Sequence, residues 1–150
     1  MKKRSRKKGP VQSKKITYDG INFASGLERY TYMALKKNKL FEGYENEVFQ
    51  LIEGFNFNNE SFEKQANGKG EYTNRGQKKI LGIKYTPDFV GKDYIIECKG
   101  RANESFPIRW KLFKLGLTKN KIGKTLYKPQ NQKEVDHTMI LIKERRKKRG

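Results

Sequence analysis

Cysteine is almost missing from this chain of 150 residues. Cys98 is the only one, so no disulfide can form within the chain and no thiolate cluster can hold zinc. Histidine is equally scarce, with His137 alone. Apolar runs are only a few residues long, against the roughly 18 needed to cross a bilayer, which excludes a helical membrane protein. A secretory leader is excluded too, because Gly9-Pro10-Val11-Gln12-Ser13 follows the basic start in place of an apolar stretch. Acids are few: 16 Asp and Glu stand against 35 Lys and Arg, a net charge of +19. Leu, Ile, Val and Phe make up just over a fifth of the chain, enough for a modest core beside a polar surface.

The charge is concentrated at the ends. Residues 1–15 carry eight cations and no acid, and residues 143–150 carry six cations and Glu144. We read these as basic tails, 1–15 and 143–150, around one domain spanning 16–142. Like charges in such blocks repel and stay extended until a polyanion neutralises them. Nucleic acid is the commonest such partner, bound through counterion release. Neither tail interleaves Trp, Phe or Leu, as a membrane anchor would.

Between the tails, Ile16–Phe23 reads as a hairpin around Asp19-Gly20. Ser25 opens a helix to about Lys39 whose buried stripe is Leu27, Tyr30, Thr31 and Ala34. Val48–Ile52 reads as a strand, and residues 56–79 as a long loop or irregular hairpin. Ile80–Val90 and Tyr94–Lys99 read as strands joined by Gly91-Lys92-Asp93. Ser105-Phe106-Pro107 starts a second helix, with Ile108, Leu112 and Leu115 as its stripe supported by Trp110, Phe113 and Leu117. Thr138–Ile142 reads as a last strand. The order predicts an α/β or α+β fold, a mixed central sheet flanked by helices.

Three pieces carry chemistry: Ser25-Gly26-Leu27-Glu28, Pro87-Asp88-Phe89 and Glu97-Cys98-Lys99. If Lys92 and Asp93 form the turn tip, Asp88 falls opposite Glu97, with Cβ atoms roughly 4.5–5.5 Å apart. Two carboxylates so placed repel unless a cation lies between them. Oxygen ligands select Mg2+, with Mn2+ as a substitute. The expected site is Asp88, Glu97 and the Cys98 backbone carbonyl, with Glu28 as an outer or second-site ligand. Lys99 shares a sheet face with Glu97, positioned for water or a phosphate oxygen, while Cys98 points into the core.

These motifs, in this order, resemble the PD-(D/E)xK nuclease superfamily. Ser25–Glu28, Tyr85-Thr86-Pro87-Asp88-Phe89 and Glu97-Cys98-Lys99-Gly100 look most like the branch of bacteriophage endonuclease I, the Holliday junction resolvases. Other small phage nucleases and transposase-associated nuclease subunits share much of the pattern. The resemblance covers about residues 16–117. It implies a restriction-endonuclease-like core, Glu28, Asp88 and Glu97 as metal-binding acids, and Lys99 as the catalytic lysine. It also implies hydrolysis of DNA phosphodiesters to leave a 5′-phosphate, a homodimer making paired cuts in branched DNA, and a location in the cytoplasm of a bacterium or phage-infected host.

Plainer readings stand beside these. Ser25 and Glu28 also make a capping box. Ser25, Arg101, Arg109, Lys111 and Lys114 are candidate nucleic-acid contacts, with ordinary helix surface as the plainer reading of the last four. Glu47 is a candidate auxiliary acid, with simple exposure the easier reading, and His137 reads as structural. Two alternatives compete with a self-sufficient endonuclease: a nuclease subunit that needs a partner such as a transposase, and a non-catalytic nucleic-acid-binding protein. A pure binder has little reason to cluster acids against a polyanion.

Overall fold

The computed structural model describes residues 16–100 and 103–150, so the 1–15 segment and Arg101 lie outside the described residues. β1 (Ile16–Tyr18) and β2 (Ile21–Phe23) form the expected hairpin. Asp19 and Gly20 take the left-handed φ values, 51° and 71°, that a two-residue turn of this hand requires. Ser25 caps α1 (Gly26–Lys37), its Oγ accepting the Glu28 amide at 3.2 Å. The buried face of α1 is Glu28, Thr31, Tyr32 and Leu35, rotated from the predicted stripe. Leu27, Tyr30 and Ala34 are only partly buried.

β3 (Phe49–Ile52) leads into a projecting arm. β4 (Phe55–Phe57) pairs antiparallel with β7 (Lys78–Ile80), and between them β5 (Phe62–Glu63) pairs with β6 (Thr73–Asn74). The irregular hairpin reading of residues 56–79 therefore holds. The expected Ile80–Val90 strand is broken. β8 (Ile83–Tyr85) pairs with β3, while β9 (Phe89–Val90) pairs with β10 (Tyr94–Ile96). The break falls at Thr86-Pro87-Asp88, where Pro87 has no amide hydrogen to continue a ladder. The register joins Val90 to Ile95 and Phe89 to Ile96, which sets Asp88 across from Glu97 as predicted.

After α2 (Phe106–Lys119) comes β11 (Thr125–Tyr127), parallel to β10, a strand absent from the sequence reading. The predicted strand at Thr138–Ile142 is instead the middle of α3 (Gln132–Arg149). Asn131 caps it through the Glu134 amide at 2.9 Å, and Val135, Thr138, Met139 and Ile142 are buried at helical spacing. Residues 143–149, expected as an extended tail, are its last turns. The α2 stripe also differs: Phe106, Phe113 and Leu117 are buried, with Trp110 packed beside them, while Ile108 is 64% exposed. Aromatic rings remove more surface from water than Ile108 or Leu115, so they decide which face turns inward.

The result is an α+β fold with a mixed three-stranded sheet in the order β11-β10-β9. Alternation along β10 feeds two cores. Tyr94 and Ile96 pack with Tyr32 and Leu35 of α1 and Val135, Met139 and Ile142 of α3. Ile95 packs the other way, with Val90, Tyr85, and Phe113 and Leu117 of α2. The sheet thus lies between α1 and α3 on one side and α2 on the other. Among the described residues, no helix is long and apolar enough to cross a membrane.

Asn131→Ala removes the α3 cap and is expected to cost about 1 kcal/mol, read as a lower midpoint in denaturant unfolding. A strand or extended segment in this region would leave the midpoint unchanged.

Candidate active site

Three acids from three elements meet at one edge of the sheet, all nearly buried: Glu28 (6% exposed), Asp88 (7%) and Glu97 (8%). The first turn of α1 carries Glu28, whose Oε2 accepts the Ser25 hydroxyl at 3.2 Å. Ser25 therefore serves both the helix cap and the acid. Asp88 lies just before β9, and its Oδ2 accepts the Cys98 amide at 2.7 Å. Glu97 follows β10, and its Oε2 accepts the Tyr85 hydroxyl at 2.6 Å. The Cys98 side chain turns the opposite way, with Sγ 3.1 Å from the Thr31 hydroxyl, as the alternation predicts. Burial pushes its thiol well above the usual range, so it is not a ready thiolate ligand.

The fourth acid was missed by sequence reasoning. Glu28, Glu45 and Asp88 each offer an oxygen within 4.8 Å of the others, a set able to hold a metal ion. Glu45 reaches the group from the segment before β3, at a left-handed φ of 47°, and its amide donates to the Asp88 carbonyl at 2.7 Å. An acid in a polar connection gives no sequence signal. Glu47 is exposed, the easier of its two readings, and outside this set. The oxygen set around Asp88 therefore centres on Glu28 and Glu45, while Glu97 flanks it and acts on it through its charge.

The electrostatics follow from crowding without a counter-cation. The Asp88 carboxyl is pushed up to about 10, first by burial, then by its hydrogen bond to Glu28 and by the charges of Glu97 and Glu28. The Cys98 amide opposes the shift. Burial also raises Glu97, against the Tyr85 hydroxyl and the nearby Lys99 charge. Tyr85 in turn is raised by burial and by Glu97. All-oxygen donors, two of them buried and Glu45 exposed, and mutual repulsion suit a hard divalent cation.

Lys99 extends toward α2, its Nζ 4.5 Å from the centre of the Phe106 ring. Lys128, which the sequence reading did not single out, lies 5.7 Å from the same ring. The two ammonium groups are thus no more than about 10 Å apart, and the Lys99 charge acts on Glu97. The parallel pairing of β10 and β11 brings them together, with the Lys99 amide donating to the Pro129 carbonyl. Of the predicted phosphate contacts, Arg109 donates to the Lys84 carbonyl near Tyr85, and Lys114 sits over Trp110. Lys111 is on the exposed face of α2. His137 lies on α3 beside Tyr127 and Lys128 and is not among the clustered acids.

The chain belongs to the family described as protein of unknown function (DUF1064), whose model matches residues 8–131. No curated protein and no solved structure matches it.

A raised Asp88 makes the acid cluster destabilising where unfolded Asp88 is ionised. Between the ordinary carboxylate range and the raised value the folded form holds the extra proton, so its stability falls as pH rises. Metal-free Asp88→Asn is therefore expected to exceed the parent in stability by about 1 kcal/mol or more at pH 8, with a smaller gain at pH 5. Millimolar Mg2+ or Mn2+ should raise the melting temperature of the parent and not of the variant. Calorimetry at the two pH values checks both signs.

Proposed function

We propose that this protein is a Mg2+-dependent endodeoxyribonuclease of the PD-(D/E)xK type, with Mn2+ as a substitute, acting on branched DNA. The observation that carries the reading is the convergence of Glu28, Asp88 and Glu97, buried together with Lys99 beside them, in a chain of net charge +19. The mixed sheet flanked by helices is compatible with the restriction-endonuclease-like core that the motifs imply.

Glu28, Glu45 and Asp88 would hold the cation, with Glu97 and the Cys98 carbonyl completing the oxygen environment. The bound ion supplies charge neutralisation at the phosphate and a more acidic water. Tyr85 and the Cys98 amide fix the directions of Glu97 and Asp88, so little rearrangement is needed on binding. Lys99 holds a phosphate oxygen or orients the attacking water, and Phe106 limits where its ammonium can go. Lys128 supplies a second positive charge to the same phosphate path. Two cuts across a junction call for two copies of the site, so a homodimer belongs to this proposal, as does a cytoplasmic location where DNA is accessible. Exposed Phe55, Phe62, Tyr72 and Leu81 on and beside the arm support contact with a second copy.

Incubating purified protein with four-way junctions, flaps and linear duplex, with and without Mg2+, tests the proposal. Metal-dependent cutting is expected, strongest on branched substrates. Glu97→Ala should abolish it, and Lys99→Ala should slow single-turnover cleavage by about 100-fold or more. Cutting of no DNA, or cutting indifferent to Glu97→Ala, refutes the enzyme. Equal cutting of linear duplex refutes only the preference for branches.

A further inference from the structure

The last seven residues of α3, Lys143 to Arg149, include six cations, and Lys36, Lys37 and Lys39 close α1. The two helices run side by side in the same direction. The Tyr30 hydroxyl bonds Asp136 near their starts at 2.7 Å, and the Lys143 ammonium bonds Asn38 near their ends. Both basic ends therefore form one ridge. Cations near a helix C-terminus offset its dipole, but that effect fades within the last turn and does not call for nine of them.

The partners separate one residue from the rest. Arg146 makes paired hydrogen bonds to Asp93, at 2.8 and 2.9 Å, and reaches Glu42 at 3.5 Å. Lys36 lies over the Tyr32 and Phe41 rings. Lys37, Lys39, Arg145, Lys147, Lys148 and Arg149 are exposed and have no carboxylate within ion-pair distance among the described residues. Past Ile142, Lys143 is drawn toward the body of the protein by Asn38 and Arg146 by Asp93 and Glu42. Lys143 and Lys147, and Arg145 and Arg149, are like charges four apart and repel, against the one favourable spacing of Glu144 to Lys148. The helix end thus carries an excess of its own charge, with Arg146 its one cation paired to carboxylates, and a polyanion relieves that excess.

We propose that the C-terminal ends of α1 and α3 form a second contact surface for the backbone of duplex DNA, separate from the acidic cleft and positioned by Arg146. This rests on the nucleic-acid reading above and adds where the DNA is held. From Glu28 the ridge lies about 14 Å along α1, nine residues at about 1.5 Å each. That corresponds to about four base pairs at about 3.4 Å each. The free cations of the ridge have no Trp, Phe or Leu interleaved, which disfavours a membrane surface.

Salt-dependent binding of a 30-base-pair duplex, in EDTA to prevent cutting, tests the ridge. Quadruple Gln substitution at Arg145, Lys147, Lys148 and Arg149 should weaken binding about tenfold or more near 0.1 M salt. It should also lower the slope of log affinity against log salt by roughly 2–4. The same number of charges removed from the arm, at Lys64, Lys69, Lys78 and Lys79, should have a clearly smaller effect. Arg146→Gln should speed amide exchange over 143–149 in the free protein, and duplex should restore protection. Unchanged affinity and slope in the ridge variant, an equal loss in the arm variant, or preferential binding to phosphatidylserine vesicles overturns the proposal. Because no cutting is scored, a failed ridge leaves the nuclease standing, and a failed nuclease leaves the ridge standing.

Discussion

Repulsion among Glu28, Asp88 and Glu97 is the constraint around which this molecule is arranged. Each acid comes from a different element, and each is held by a short-range donor: the Ser25 hydroxyl, the Cys98 amide and the Tyr85 hydroxyl. None of these donors carries a charge, so they orient the carboxyls without neutralising them. Burial first, and then the neighbouring Glu28 and Glu97, let Asp88 retain a proton far above the ordinary carboxylate range. Such crowding persists only if the surrounding structure holds α1, β9 and β10 firmly. The two cores do so by gripping opposite faces of one sheet. Tyr85 belongs to both systems, since its ring packs at 4.8 Å from Phe113 while its hydroxyl bonds Glu97.

Much of this geometry was legible because it depends on short periods. Asp19-Gly20 dictates a turn, and Ser25-x-x-Glu28 dictates a helix start. A tight turn at Lys92-Asp93 fixes the pairing that opposes Asp88 and Glu97. The period of two along residues 94–99 separates Cys98 from Glu97 and Lys99. What was not legible depends on contacts distant in sequence. Glu45 belongs to the site only because its connection docks against Asp88, more than forty residues later. β11 is short and polar in context, and exists because β10 offers it a ladder.

The misreading of α3 has a different cause. Met139-Ile140-Leu141-Ile142 has the composition of a strand, and the basic run after it suggests an end to structure. Yet Asn131 with Glu134 is a capping signal, and Val135, Thr138, Met139 and Ile142 keep helical spacing. Taken alone the apolar run indicates a strand; its flanks decide for a helix. In α2 the helical period is plain from the sequence, but the buried face is Phe106, Phe113 and Leu117. Large rings at 106, 110 and 113 compete successfully with the aliphatic stripe.

The distribution of charge connects the two proposed surfaces. Glu28, Asp88 and Glu97 are gathered in the cleft, and Asp93 and Glu42 are engaged by Arg146. Glu144 is the one acid against six cations over residues 143–149, so the ridge keeps a positive excess while the cleft gathers acids. The Debye length at physiological ionic strength is about 8 Å, shorter than the roughly 14 Å along α1 between them. The ridge consequently does little to make the cleft attractive to phosphate. In the proposed nuclease, backbone binding and entry of a phosphate into the cleft are then separable events: the first needs only the ridge, and the second needs a divalent cation to reverse the sign of the cleft. Metal dependence would accordingly fall mainly on cleavage, and salt dependence mainly on binding.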